Sequence, residues 1–230
     1  MEGIVRRMNR AVLVGVLASA LSVTAAPASE PESLQYRWSL GGFFGTFARI
    51  FLPGHGEGVL TTLDAASGTT EVRLDITAPT AAGEYWRYGS EIDRSDGRTL
   101  RAWSSYRFRG KDQEKESDLD EEAVIDIASG ILLLRRDPPT TPRNMRIWND
   151  GKIYPVVIQP RGTVNRRVGG QLEAVRHYAI RARRVPNERT WKGKFDVFLA
   201  NDDAATPVEI SVERSMARIR LTIERTVDGE

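Results

Sequence analysis

The chain of 230 residues contains no cysteine and only two histidines. Without cysteine it can form no disulfide, thiolate metal site or iron–sulfur cluster, and it has no thiol nucleophile. Two histidines leave few bases for a serine triad, and neither Gly-x-Ser-x-Gly nor His-Glu-x-x-His occurs. The sequence therefore indicates no catalytic residue, metal ligand or cofactor site, and we expect a protein that is not an enzyme.

The chain also has little net charge, once its first 28 residues are set aside. The whole sequence holds 33 Lys and Arg against 31 Asp and Glu, and residues 1–28 hold three Arg and one Glu. The remaining residues thus carry 30 basic and 30 acidic side chains. Since nucleic-acid binding requires a clustered positive field, we predict no nucleic-acid partner.

Long apolar runs are absent as well, apart from one near the start. Three arginines lie between positions 6 and 10, residues 11–23 are mainly apolar, and Ala26 and Ala28 supply small residues for cleavage. This pattern predicts a secretory signal peptide over residues 1–28. The run is too short for a membrane-spanning helix, which needs ~20 residues, although a retained anchor is the alternative. We predict a periplasmic protein with no membrane span after cleavage, secreted if the source has no outer membrane.

Residues 29–230 predict a single, mainly β domain. Apolar and polar residues alternate with period two in short segments separated by turn sequences, of which Asn149-Asp150-Gly151 is the clearest. We predict about ten antiparallel strands that form a barrel or a curved half-barrel. The segments with strand character are 34–40, 56–63, 70–77, 85–94, 98–109, 145–148, 152–159, 163–168, 171–184, 194–200, 207–213 and 217–225.

One segment has helical spacing instead. Its apolar residues recur every three or four positions, and Asp118 before it and Arg135 and Arg136 at its end complement a helix dipole. We predict the main helix over about 119–136, packed against the concave side of the sheet, and a solvated loop over the charged run 110–118. The apolar residues on one helix side are Val124, Ile127, Ala128, Ile131 and Leu134.

A cluster of phenylalanines supplies the first candidate site. Four of the seven phenylalanines fall within nine residues, and three of them have i, i+4, i+8 spacing, which would form an aromatic stripe on a short helix. One hypothesis is an apolar lid over a lipid pocket; the other is a plug packed over the end of the sheet. The candidate ligand-binding residues are Phe43, Phe44, Phe47 and Phe51.

The second candidate is Trp103, which shares one face of the predicted strand 98–109 with Arg101, Arg107 and Arg109. An aromatic side chain among arginines suits an anionic glycan or a lipid headgroup. The alternative is a solvated face whose charge is balanced by neighbouring acids. Of the two histidines, His55 alternates with glycines in a turn that resembles no phosphate-binding loop, and His177 is interpreted as an ordinary strand residue.

Several segments together resemble the domain-of-unknown-function 3108 family of exported bacterial proteins. They are Asp126–Arg135, an acidic residue and an apolar run ending in arginine; Asp150–Val157, an alternating strand after Gly-Lys; and Phe198–Val208, a hairpin that restarts at proline. The resemblance spans about 34–225. It implies an exported β-rich domain and assigns no activity, ligand or site residue.

Three functional hypotheses follow. The first is a non-enzymatic protein that holds an apolar or lipid-like envelope molecule in a β-sheet cavity. The second is an assembly or interaction module of the cell envelope that binds a protein partner through a sheet edge or the Arg/Trp face. The third is a hydrolase whose paired carboxylates meet only in the folded structure.

Overall fold

The computed structural model describes residues 30–41, 54–80, 83–119, 123–214 and 217–224, without the side chains of residues 214 and 217. The predicted signal peptide lies outside the described residues, and so do Phe43, Phe44, Phe47 and Phe51. Within the described ranges, no helix combines the length and apolarity needed to cross a bilayer.

The described residues form one thirteen-stranded sheet and one helix. Most strands coincide with the period-two segments of the sequence, because each such segment has one face to bury. The strands are β1 (Glu32–Gly41), β2 (His55–Asp64), β3 (Thr69–Thr77), β4 (Tyr85–Asp93), β5 (Thr99–Phe108), β6 (Lys111–Asp118), β7 (Val124–Ile125), β8 (Arg143–Asn149), β9 (Lys152–Val168), β10 (Gln171–Ala182), β11 (Lys194–Leu199), β12 (Pro207–Arg214) and β13 (Ala217–Ile223); the helix is α1 (Ile127–Arg136).

The sheet consists of two meanders joined through the first and last strands. β1 to β6 are neighbours in order, β8 to β13 are neighbours in order, and β1 pairs with β13 so that Trp38 lies opposite Leu221. The pairings in the described residues are antiparallel except that of β7 with β8. β6 and β7 are the two edges, so the sheet curves without closing. The predicted curved, mainly antiparallel sheet with one helix is confirmed.

Side chains bring the two edges of the curved sheet together. Ala102, Leu119, Val124 and Trp148 form a small buried cluster that joins β5 to β7 and β8. The Ser104 hydroxyl also donates to Oδ1 of Asp150 at 3.3 Å, across the same gap. The sheet therefore encloses an interior although its edge strands do not pair.

Helix α1 fills one end of that interior. It contacts β3, β4, β7 and β11, and its Ile131 and Leu134 side chains are fully buried. At its last turn, the Arg135 guanidinium donates to both carboxylate oxygens of Glu32, at 2.6 and 2.8 Å. Since Glu32 begins β1, the C-terminal end of the helix lies at the end of the sheet where β1 starts. The opposite end of the interior, where β1 finishes, is not filled by the helix.

The helix begins eight residues later than the sequence predicts. Leu119 is buried in the edge cluster, and Val124 and Ile125 pair in parallel with β8, so these apolar residues belong to the sheet. The N-cap is Asp126 rather than Asp118, and Asp126 and Ser129 form a capping box. The helical spacing was correct only from Ile127 onward.

The predicted solvated loop 110–118 is wrong, because residues 111–118 form the edge strand β6. Its acidic residues face the arginines of β5: Arg107 binds Asp112 at 2.8 Å, and Arg101 binds Glu116. Strand β6 is thus held against β5 by ion pairs and not by buried apolar side chains. The predicted strands 152–159 and 163–168 are likewise one strand, β9, with Pro160 opposite Tyr178 beside an irregularity in the register with β10.

Candidate functional site

A cavity of about 1070 Å³ occupies the end of the sheet that α1 leaves unfilled. It is bounded by the last residues of β1 and β5, the first residues of β4 and β9, and the strands β12 and β13 where their hairpin begins and ends. Ile127, the first residue of α1, lines its inner side. This volume is at the upper end of the range for small-molecule sites.

The wall of the cavity is aromatic and aliphatic. Period-two alternation turns these side chains inward from several strands, whereas their sequence neighbours point to the outer face. Aromatic side chains provide large apolar area with few rotatable bonds, so they form a preformed surface for an apolar ligand. The apolar lining residues are Trp38, Leu40, Trp86, Tyr88, Tyr106, Phe108, Ile127, Tyr154, Trp191, Val212 and Ile219.

Trp38 is fixed by a hydrogen bond and by a glycine in the next strand. Its indole Nε1–H donates to the carbonyl oxygen of Thr77 at 2.7 Å. A Cβ atom on Gly56 would lie 2.2 Å from that oxygen and 2.4 Å from the indole nitrogen. The glycine that alternates with His55 and Glu57 is therefore needed for close packing, and the exposed His55 and Glu57 side chains lie on the opposite face.

The loop between β10 and β11 covers one side of the cavity. It turns through Asn187 in a left-handed conformation and carries Trp191, which is 7% exposed. Trp191 packs so closely on Gly193 that a Cβ there would lie 2.5 Å from its ring. The same loop places Arg189 and Lys192 at the cavity.

Polar groups form part of the rim. Asp150 occupies the β8–β9 turn with a φ of 51°, and its carboxylate accepts hydrogen bonds from Asn149 and Ser104. Glu213 accepts from Lys194 at 2.6 Å and from Arg218 at 2.6 Å. These two hydrogen bonds, that of Lys194 first, hold the pKa of Glu213 below its usual value.

A buried carboxyl group lies next to the inner side of the cavity. Asp126, adjacent to the lining residue Ile127, is 1% exposed. Its Oδ1 accepts from the Ser90 hydroxyl at 2.5 Å and from the backbone and hydroxyl of Ser129 at 2.7 and 2.8 Å. Burial raises the pKa of Asp126, and these hydrogen bonds oppose that effect only in part. Asp126 positions the start of α1 and does not itself line the cavity.

The sequence-predicted candidates are not among the described lining residues. Phe43, Phe44, Phe47 and Phe51 lie outside the described residues, so their role stays a prediction. Trp103 lies on the outer face of β5, where its ring packs over Gly89 of β4. The structure thus separates Trp103 from the cavity.

The outer face around Trp103 is electrically balanced. Arg101 pairs with Glu116 and Arg107 with Asp112, both on the adjacent β6. The guanidinium of Arg109 lies 5.2 Å from the centre of the Phe108 ring. The acids of β6 therefore neutralise much of the charge that an anionic glycan or headgroup would meet here.

The second histidine belongs to an outer-face network. His177 stacks on Phe198 with ring centres 4.3 Å apart, and its Nε2 lies 2.8 Å from Oδ1 of Asp196. Burial alone would raise the pKa of Asp196, but hydrogen bonds from His177 and Arg181 outweigh it and lower that pKa. Among the described residues, no group of three or more His, Asp or Glu side chains is arranged to hold a metal ion.

The cavity residues are ones that sequence reasoning did not single out. Alternation correctly placed Trp103 on the same face as Arg101 and Arg107, opposite the face that carries Tyr106 and Phe108, but it did not show where the sheet encloses a cavity. The inward aromatic residues near one set of strand ends were the available signal. Trp191 lies in a loop without periodicity, and no comparable signal marked it.

The fold and cavity together define an open, barrel-like β protein with an apolar chamber. No protein-family model matches the chain, and no curated protein is similar to it in sequence. Its structure is similar to that of a β-barrel-like protein of the domain of unknown function DUF1849 from Brucella abortus, with a TM-score of 0.51 and 9% identity over 85% of this chain and 96% of that one.

A weaker likeness links the chain to the lipoprotein LppX from Mycobacterium tuberculosis, with a TM-score of 0.31 and 11% identity over 86% of this chain and 87% of that one. At these identities the DUF1849 protein supports the fold class alone, and the LppX likeness carries no inference. Membership of the domain-of-unknown-function 3108 family stays a prediction.

Proposed function

We propose that this protein is an exported, periplasmic binding protein that holds an apolar or lipid-like envelope molecule in its aromatic cavity. The observation that carries the proposal is a volume of about 1070 Å³ at the end of the sheet interior away from α1, which seven aromatic side chains of the described residues line. An aromatic chamber of this size favours an apolar ligand over water, because apolar surface gains free energy when it leaves water.

The energy available in such a site is substantial. Each CH₂ group that moves from water into the cavity contributes about 0.8 kcal/mol. A twelve-carbon chain would thus gain roughly 10 kcal/mol. An association cost of about 4 kcal/mol, the low end of the usual range, leaves about 6 kcal/mol, which corresponds to binding in the tens of micromolar. Trp38 is already held by its hydrogen bond and Trp191 by its contact with Gly193, so these two rings add little rearrangement to that cost.

The carboxylates at the cavity also bear on the hypothesis that the protein is a hydrolase. The carboxylates that line it in the described residues are Asp150 and Glu213. A carboxylate pair in glycoside hydrolysis requires one member with a raised pKa to act as general acid. The pKa of Glu213 is instead lowered by Lys194 and Arg218. Glu213 is therefore unsuited to be the general acid of such a pair, and we favour a binding function over a catalytic one.

Two surface features weigh against the hypothesis of an envelope interaction module. Two of the three arginines around Trp103, Arg101 and Arg107, already have acidic partners on β6. The edge strand β6 is itself composed of polar and charged residues (KDQEKESD), which disfavour pairing with another strand. Both features make these two surfaces less suited to a protein partner than the cavity is to an apolar ligand.

The test is native mass spectrometry of the protein purified from its own envelope. We expect a co-purified mass in the lipid range that is released by organic extraction. Trp86→Asp places a charge in the cavity wall and should abolish that mass, whereas Trp103→Asp makes the same change on the adjacent strand but on the outer face and should retain it. Both variants should fold by circular dichroism, with Trp86→Ser as a milder substitute. A wild-type protein without any bound apolar molecule would contradict the proposal.

A further inference from the structure

Three cationic side chains converge on the cavity. Lys152 begins β9, next to the β8–β9 turn, and Arg189 and Lys192 come from the loop that also carries Trp191. All three line the cavity and are exposed to solvent at its rim. They therefore lie where a ligand inside the chamber would meet water.

None of these three cations has a carboxylate within 4 Å in the part of the chain that the structure describes. The nearby outer-face arginines differ in this respect. Arg87 pairs with Asp75 at 3.0 Å, and Arg107 pairs with Asp112 at 2.8 Å. The charge at the rim is thus left without the neutralising partner that these neighbours have.

The two rim carboxylates offset the charge of the three cations only in part. Glu213 is already bound by Lys194 and Arg218, neither of which lines the cavity. Asp150 accepts hydrogen bonds from Asn149 and Ser104. The cavity lining carries three positive and two negative side chains. One of the negative side chains, Glu213, is paired with Lys194 and Arg218, which lie outside the lining.

An apolar chamber whose rim carries a net positive charge is complementary to an amphiphile with an anionic head group. We infer that the ligand has an apolar tail and an anionic head group, a carboxylate or a phosphate, and that Lys152, Arg189 and Lys192 contact this head group. The inference rests on the proposed function and adds the chemical class of the ligand. Head-group attraction selects among apolar molecules, while burial of the tail supplies most of the affinity.

The experiment compares two fluorescent probes with the same tail, 11-(dansylamino)undecanoic acid and its methyl ester, of which only the acid carries a charge. Binding to the delipidated protein is followed by energy transfer from tryptophan to the dansyl group. The wild-type protein should bind the acid about tenfold more tightly than the ester, which is the combined effect expected of three solvent-exposed ion pairs. Raising the salt concentration should reduce this preference.

The triple variant K152Q/R189Q/K192Q should weaken acid binding by about tenfold and leave ester binding within about twofold of the wild type. The matched control K111Q/R161Q/R184Q removes the same charge from exposed cations that do not line the cavity, and both affinities should persist. Inorganic phosphate alone should not displace the acid, because it has no tail to bury.

The outcomes separate the two proposals. Equal affinity of wild-type protein for acid and ester, or equal weakening of acid binding in both triple variants, would overturn the head-group inference and leave the apolar site standing. Displacement of the acid by inorganic phosphate would assign the rim to a free anion and also overturn it. Failure of the delipidated wild type to bind either probe would overturn the proposed function itself.

Discussion

Replacement of Asp126 by alanine tests how the helix is anchored beside the cavity. The Asp126 carboxylate caps α1 and accepts hydrogen bonds from the hydroxyls of Ser90 and Ser129, both of which are buried. Loss of an N-cap costs about 1 kcal/mol, and each buried hydroxyl left without an acceptor costs about 1 kcal/mol or more. Asp126→Ala should therefore lower the free energy of unfolding by about 3 kcal/mol. For a domain of this size the midpoint of thermal unfolding should fall by about 6–12 °C.

Asp126→Asn is the matched control, because the amide oxygen can still accept these hydrogen bonds but carries no charge. It should cost less than about 1 kcal/mol at neutral pH. The comparison also has a defined pH dependence. Since burial raises the pKa of Asp126, the folded state binds its proton more tightly than the unfolded chain does. The stability of the wild type relative to Asp126→Asn should thus be greatest below the unfolded carboxyl pKa of about 3.9 and decrease as the pH rises toward the folded pKa.

The assay is urea denaturation followed by circular dichroism for all three proteins at a series of pH values. Differences between wild type and Asp126→Asn remove the contribution of the other carboxylates, which titrate in both proteins. A loss below about 1 kcal/mol for Asp126→Ala would refute the role of Asp126 as an anchor. A wild-type advantage over Asp126→Asn that grows as the pH rises would refute the direction of the pKa shift.

Three further predictions concern other parts of the sheet. Gly56→Ala should lower stability by about 2 kcal/mol or more, because its Cβ would overlap the Trp38–Thr77 contact. Gly41→Ala, whose Cβ would come no closer than 4.0 Å to any residue that the structure describes, should be neutral in urea denaturation. Asp196→Asn should cost stability at neutral pH. Because the pKa of Asp196 is lowered in the folded protein, the stability advantage of the wild type should be present above about pH 3.9 and be lost as the pH falls through the folded pKa. Urea denaturation at several pH values measures this advantage. Trp103→Ala should reduce stability but leave the affinity for the dansylated acid within about twofold, and a larger loss in a probe titration would place Trp103 in the site.

The period-two segments of the sequence were sufficient to predict the strands that bury one face in the core. Tyr36, Trp38 and Leu40 alternate in sequence and are buried in the structure. β6 was missed because it buries almost no apolar surface. Its alternation is one of charge, with acids at positions 112, 114, 116 and 118 on the side that faces the arginines of β5. A search for charge alternation complementary to a neighbouring strand would have found it.

The helix start was wrong for a different reason. Val124 fits helical spacing with Ile127 and Ile131, but tertiary pairing with β8 places Val124 and Ile125 in the sheet. Two residues of strand before a cap leave no periodicity that a sequence window can detect. The buried Asp126 and Ser129, three positions apart, were the local signal for the true start.

The cavity could not be predicted from the sequence, because its existence depends on how much of the sheet interior is left unoccupied by side chains and by α1. Alternation determines which side chains face inward, whereas the volume left between them depends on the curvature of thirteen strands and on the length of α1. A helix that began at residue 119 would have occupied more of the interior. The loop residues Arg189 and Lys192 reach the rim through a connection that lacks periodicity, so their convergence with Lys152 is visible only in three dimensions.

Quenching of tryptophan fluorescence by dibrominated stearate tests the central claim most directly, because bromine quenches only rings that it approaches closely. Trp38, Trp86 and Trp191 line the cavity, whereas Trp103 lies on the outer face. We predict that stearate quenches a large share of the emission, that Trp86→Phe removes part of the quenchable share, and that Trp103→Phe leaves it intact. An emission that dibrominated stearate does not quench, or quenching that disappears with Trp103 and not with Trp86, would contradict an apolar ligand site inside the sheet.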